Sequence, residues 1–317
     1  MKVIDLVIPC YNEEEVLKEI SSRLYEKMGR LIGNKIVSDE SKIVFIDDGS
    51  SDKTWSIIEA LTKESSMFSG VKLSRNRGHQ NALIAGLMTI RDHCDAIISL
   101  DADLQDDINV IDEFIEKYYE DCDVVYGVRS ERKTDTAFKR NTAKLFYKLM
   151  KGLGVDIVYN HADYRLMSKK ALYALGEFKE VNLFLRGIVP LVGFKSDTVI
   201  YERKERFAGE SKYPLKKMLA FAFEGITSFS VKPIRLVLTI GILMFITSLL
   251  SLMYFLVIWL NGKAVAGWTT IVISIWMIGG IQLLCLGIIG EYVGKIYTET
   301  KRRPRFILDK LILKDND

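Results

Sequence analysis

Two uncharged stretches near the carboxyl end constrain this chain more than any other feature. Leu236 to Gly262 and Ala264 to Gly290 contain no Asp, Glu, Lys or Arg, and each exceeds the roughly 20 apolar residues that cross a bilayer core. Buried core helices rarely run uncharged for so long. Residues 234–296 therefore read as a transmembrane hairpin, with spans at about 234–260 and 268–293. Lys216, Lys217, Lys232 and Arg235 precede the first span, and Lys295, Lys301, Arg302, Arg303, Arg305 and Lys310 follow the second. The connecting segment Asn261 to Trp268 carries Lys263 alone. Basic residues concentrate on the cytosolic side of a membrane protein, so both termini and the amino-terminal domain are expected in the cytosol.

Before the hairpin, charges are spread throughout and the overall hydrophobic share of 49% is too high for a disordered chain. The first apolar stretch is interrupted by Asp5 and followed by Glu13, Glu14 and Glu15, which does not fit a secretory signal. Cys10, Cys94, Cys122 and Cys285 lack paired metal-ligand spacing, and a reducing compartment disfavours disulfides; all four read as packing residues. A net charge of +3 does not point to nucleic acid. Much of the basic excess lies beside the spans, where anionic lipid head groups would sit.

Short apolar runs alternate with helical patterns. Val3–Ile8, Ile43–Ile46, Val71–Leu73, Ala96–Leu100 and Val124–Tyr126 read as strands, and Glu13–Met28, Lys53–Ser65, Gln80–His93 and Ile108–Glu120 as helices, with Asn12, Asp52 and Asp107 as candidate amino-terminal caps. Such alternation predicts an α/β domain, Rossmann-like, with a mostly parallel sheet, and ligands bind such sheets beyond the strands' carboxyl ends. The expected division is a catalytic domain at 1–212, an interfacial amphipathic segment at 213–233, two transmembrane helices within 234–296 and a basic cytosolic tail at 297–317.

The sharpest motif is Leu100-Asp101-Ala102-Asp103-Leu104-Gln105-Asp106-Asp107. On an extended backbone, alternation points Asp101 and Asp103 to one side. Two hard oxygen ligands suit Mg²⁺ or Mn²⁺ held chiefly through substrate phosphates, and a metal there would neutralise a departing diphosphate. The other reading is a polar turn capping the next helix. Asp47-Asp48-Gly49-Ser50-Ser51-Asp52 also follows an apolar run; it is either an ordinary turn, with Gly49 permissive and Asp52 capping, or a place where a carboxylate meets a nucleobase or ribose. Ala137 to Gly152 interleaves Lys139, Arg140, Lys144, Lys148 and Lys151 with apolar residues and suits either a lipid surface or a core helix with a solvated face. Tyr213 to Ser230 leads directly into the first span and is better placed at the interface.

Val7-Ile8-Pro9-Cys10-Tyr11-Asn12-Glu13-Glu14, Asp47 to Asp52 and Asp101-x-Asp103, in that order, resemble the donor-site motifs of family 2 glycosyltransferases. Ser74 to Leu83, Asp163-Tyr164-Arg165-Leu166-Met167-Ser168, Arg206 to Tyr213, Gly290-Glu291-Tyr292 and Arg303-Pro304 extend the similarity to the polyprenyl-phosphate glycosyltransferases. That group includes dolichol-phosphate mannose synthase and bacterial undecaprenyl-phosphate glucosyltransferases. The resemblance implies a GT-A fold in which Pro9, Tyr11, Glu13 and Asp48 hold the nucleoside and Asp101, Asp103 and Gln105 hold metal and diphosphate. It also implies that Arg129, Arg140 and Arg206 meet phosphates, with Arg165, Ser211 and Lys212 on the phosphate and acceptor side. Asp163, Asp103 and Arg206 form the expected catalytic set. A phosphate monoester is already mostly dianionic at neutral pH, so Asp163 is expected to position the acceptor or a cation more than to act as a base. His161 reads as a packed or capping residue and His79 as structural.

The implied reaction is an inverting transfer of a hexose from a nucleotide sugar to a polyprenyl phosphate. Glucose from UDP-glucose onto undecaprenyl phosphate leads, ahead of N-acetylglucosamine and GDP-mannose, because the segment through Leu83 resembles the bacterial glucose branch. The expected partners are the donor, the lipid and the membrane, a bacterial plasma membrane, with self-assembly through the membrane helices also implied. Two rival readings have distinct signatures. A processive polysaccharide synthase would carry Gln-x-x-Arg-Trp, yet none of Trp55, Trp259, Trp268 and Trp276 follows an arginine. A catalytically silent membrane scaffold would gain nothing from clustered carboxylates in a crevice.

Overall fold

The computed structural model describes residues 1–130, 161–181, 184–202, 232–261 and 267–313. It separates into two compact units, one built from 1–147, 156–214 and 303–317 and the other from 148–155 and 215–302.

The first unit is organised by β1 (Ile4–Cys10), whose seven residues are all buried. A strand covered on both faces needs a continuous apolar run rather than an alternating one. Around it run α1 (Leu17–Gly33), β2 (Ile43–Asp47), α2 (Thr54–Glu64), β3 (Phe68–Leu73), α3 (His79–Ile90) and β4 (Ala96–Ser99). A 3₁₀ turn at Ile108–Val110 leads into α4 (Ile111–Tyr119), followed by β5 (Val124–Arg129), β6 (His161–Ser168), α5 (Lys169–Gly176), α6 (Leu185–Leu191) and β7 (Ser196–Tyr201). The eight-stranded sheet has the order β7-β5-β6-β4-β1-β2-β3-β8, where β8 is Leu308–Ile312. β1, β2, β3 and β4 run parallel; β6 is antiparallel to both β4 and β5, and β8 is antiparallel to β3.

The expected α/β class and mostly parallel sheet are both present. α1 buries Leu17, Ile20, Leu24, Met28 and Leu31, the three-and-four spacing of an amphipathic helix. α3 lies so close to the sheet that a Cβ on Gly86 would meet Ile46 at 2.7 Å and Val7 at 2.8 Å. After β3 the chain crosses back over β1 to reach β4, so the order of strands reverses between β1 and β4. A crevice opens at such a switch point.

Several sequence expectations are corrected here. Asn12 does not cap α1, which starts at Leu17 after a turn closed on the Glu13 carbonyl. Asn12 is instead left-handed at φ 54° and its side-chain oxygen accepts from the Ser51 amide, tying the loops after β1 and β2 together. Asp52 accepts from the Thr54 amide but stands one residue before the cap position of α2, which is Lys53, whereas Asp107 caps the 3₁₀ turn by accepting from the Asn109 amide. The residues after α8 include more than a basic tail, because β8 pairs along β3 and the Ser74 amide donates to the Ile307 carbonyl.

The second unit contains α7 (Lys232–Leu260) and α8 (Trp268–Lys301). α8 continues two turns beyond the expected end at residue 293 and stops where Arg302 turns left-handed. Its Met277–Lys301 segment is long and apolar enough to cross a membrane, and none of its most apolar window is buried. Leu283 is 74% exposed, and Leu238, Leu243, Met253 and Leu286 are exposed likewise. A helix in the core of a soluble domain would bury these side chains.

Candidate active site

The crevice at the switch point collects side chains from four strand ends. On the β1 and β2 side, Tyr11 is exposed, Glu13 half-buried and Pro9 buried within its strand. Asp48, expected to hold the nucleoside, spends its two carboxylate oxygens on the Arg77 amide at 2.7 Å and the Gly78 amide at 2.8 Å. It thereby shapes the loop from β3 into α3. Asp47 accepts from the Ser50 amide with one oxygen, and its other oxygen is buried without a hydrogen-bond partner. Burial pushes both carboxyls above their ordinary values. Gly49 sits at φ +67°, and a Cβ there would lie 2.5 Å from the Arg75 carbonyl carbon, so these two loops meet where only glycine fits.

The acidic motif after β4 is not extended. The strand ends at Ser99, Ala102 to Leu104 form a turn, and Leu104 takes φ 57°. Strand alternation is therefore not what sets the directions of Asp101 and Asp103. The turn does so, with Asp103 Oδ1 accepting from the Gln105 amide at 3.1 Å. Asp106 is buried, accepts a hydrogen bond from Tyr201 and lies 3.8 Å from Arg129. Arg129 Nε donates to the same Tyr201 hydroxyl at 3.2 Å, because β5 and β7 pair Arg129 with Tyr201 in register. Burial and the neighbouring Asp101 push the Asp106 carboxyl up to about 6.

Register also explains the central cluster. β4 and β6 pair Ser99 with Arg165 in antiparallel register, which, continued two residues past the ladder, sets Asp101 opposite Asp163. The Ser99 hydroxyl donates to the Asp163 carbonyl at 2.7 Å and holds that register. Around the two carboxylates stand three cationic or imidazole groups. Arg165 ion-pairs with Asp163 Oδ1, Arg186 reaches Oδ2 at 3.3 Å, and His79 Nε2 lies 3.5 Å from Asp101 and 3.8 Å from Asp163. Burial opposes ionisation of Asp163, but Arg186, Arg165 and His79 outweigh it and hold the carboxyl well below the usual range. Asp101 differs. Burial, joined by Asp163 and Asp103, raises it against the opposing His79 and Arg129.

Arg165 was expected to meet phosphate or acceptor; its side chain is 2% exposed and lies beneath Asp163. His79 was expected to be structural and instead stands between two site carboxylates. Arg186, Tyr201 and Asp106 carried no assigned role in the sequence. His79 had a signal, since it opens a helix directly after a strand and loop, whereas Arg186 lies in an apolar segment without one. His161 is buried and packs edge-on against Tyr126. Arg140, Arg206, Ser211 and Lys212 lie outside the described residues, as does the patterned segment 137–152.

The donor set suits a divalent cation bound with phosphate. Asp101 is a carboxylate raised by burial and crowded by acidic neighbours, which a cation would relieve. Among the described residues no group of three or more His, Cys, Asp or Glu side chains is gathered to hold a metal, and Mg²⁺ commonly takes only one or two carboxylates beside substrate phosphates.

Residues 5–176 match the glycosyl transferase family 2 model, and residues 232–296 match the GtrB C-terminal hairpin. The glycosyltransferase YkoT of Bacillus subtilis (strain 168) is 53% identical over 97% of this chain and 91% of its own length. A prophage bactoprenol glucosyl transferase homolog of Escherichia coli (strain K12) is 41% identical over 97% of this chain and 99% of its own. The bactoprenol glucosyl transferase of Shigella phage SfII is 40% identical, covering 97% of both chains.

Proposed function

Since this chain belongs to glycosyl transferase family 2, we propose that it transfers glucose from UDP-glucose to undecaprenyl phosphate, a polyprenyl phosphate, at a membrane surface. The observation that carries this reading is the similarity to bactoprenol glucosyl transferases along 97% of the chain, hairpin included. The chain is a membrane-associated hexosyltransferase, and the hairpin would keep it beside an acceptor that cannot leave the bilayer.

In the proposed reaction a lipid phosphate oxygen attacks the anomeric carbon. A carbon–oxygen bond forms, the bond to the donor diphosphate breaks, and the centre inverts as UDP leaves. The acceptor is mostly dianionic at neutral pH and requires little deprotonation. Asp163 fits that demand, because a carboxylate held ionised by two guanidinium groups is a weak base and is well suited to fixing their positions. Tyr11 and Glu13 line the nucleoside side, Arg129 lies toward the diphosphate, and preorganised charge does the stabilising. Mg²⁺ or Mn²⁺, when bound by Asp101 and Asp103 with Gln105 nearby, would neutralise charge on the leaving diphosphate. We place both termini and the catalytic unit on the cytosolic side, as the flanking basic residues suggest.

The test is to incubate the purified full chain in detergent with undecaprenyl phosphate, divalent metal and a panel of nucleotide sugars, and to weigh the extracted lipid. A gain of one hexose with UDP-glucose is expected. Lipid left unmodified by every donor overturns the proposal, and a gain from another donor alone overturns the assignment of the sugar.

A further inference from the structure

We infer that Arg186 is a binding residue for the acceptor's phosphate, held in place by Asp163; this rests on the polyprenyl phosphate reading above. Three observations carry it. The first is the difference between the two arginines on Asp163. Arg165 is sealed beneath the carboxylate, whereas Arg186 reaches the other oxygen and remains 30% exposed. One arginine is thus committed to the protein interior, and the other stays partly accessible beside the Asp163 carboxylate. A guanidinium fork carries five donors and can bond phosphate oxygens in pairs while fixed by a carboxylate on another edge.

The second is placement along the sheet. From β2 through β1 to β4 and β6 the crevice presents Tyr11 and the Asp48 loop, then Asp101, then Asp163 with Arg186. A donor lying with its nucleoside over β1 and β2 and its diphosphate near Asp101 brings the sugar toward β6. The attacking phosphate must then approach from the far side of the sugar, where Arg186 stands.

The third is rigidity. Arg186 sits in the first turn of α6, and the preceding residue is pinned by the Leu185 amide donating to Gln80 Oε1 at 2.9 Å. Gln80 directly follows His79 in α3, so the elements carrying His79 and Arg186 are tied together. A preorganised cation loses less on binding than one on a free loop.

The experiment measures transfer by the full chain in detergent, titrating undecaprenyl phosphate and UDP-glucose separately. Arg186→Gln is expected to raise the KM for the lipid phosphate by about tenfold or more, the scale of a lost charged hydrogen bond, while the donor KM stays within about twofold. Arg186→Lys, which keeps the charge but not the fork, is expected to fall between and decides the matter if the Gln variant does not fold. Adding Asp163→Asn to Arg186→Gln is expected to give no recovery. An unchanged lipid KM, a shift confined to the donor KM, or recovery in the double variant each overturns the assignment while leaving the proposed reaction standing. A wild-type chain that glycosylates no lipid phosphate overturns both.

Discussion

Asp163 shows how a single carboxylate can be read from its surroundings. Both oxygens face guanidinium groups, one of them buried, and removing the charge from a buried pair typically costs about 3–5 kcal/mol because the partner is left uncompensated. Asp163→Asn is therefore expected to lower the melting temperature as well as turnover. Thermal melts beside transfer assays check both effects. Asp5 is the opposite case, a buried carboxyl for which burial outweighs the nearby Lys42 charge, its Oδ1 accepting from the Lys42 amide. Burial pushes it from 3.8 up to about 7. Folding favours its protonated form, so its contribution is fully present below about pH 4 and lost as pH rises through about 7. Asp5→Asn should flatten that window and stabilise the protein at about pH 8, on the order of 2 kcal/mol, as read from unfolding at several pH values.

At the level of elements, the crevice depends on loops packed backbone to backbone. The loop after β2 touches the loop after β3 at Gly49, and Asp48 secures the latter by two main-chain hydrogen bonds. Gly49→Ala combines a left-handed backbone with a clash against main chain that cannot move like a side-chain tip. A loss of about 2 kcal/mol or more is expected, together with a raised donor KM, checked by unfolding and by kinetics. Apolar periodicity in the sequence identifies β1, β2, β4, β5 and α2 to within a few residues. It does not reveal that the strand ends at Ser99 and the acidic motif follows it as a turn, because a turn such as Ala102 to Leu104 is set by hydrogen bonds to Asp103 and Asp106 rather than by hydropathy.

For the whole molecule, the catalytic unit is discontinuous. β8 returns after the apolar helices to pair with β3, with Lys310 meeting Glu59 at 3.2 Å and stacking over Trp55. A truncation ending at residue 231 therefore removes a strand along with the hairpin and bares the β3 edge, which invites aggregation. Replacing 215–302 by a flexible linker, which keeps 303–317, is expected to yield a more soluble and more stable protein than the simple truncation. Size-exclusion chromatography and melting curves on the two proteins decide it. By itself the sequence determined the α/β class, the paired uncharged helices and the acidic motifs at strand ends, since each follows from local periodicity and composition. Tertiary structure alone decided that Asp101 faces Asp163, that His79 and Arg186 join them, and that the tail completes the sheet. Those meetings depend on strand register and on contacts between residues far apart in the chain, which no local pattern encodes.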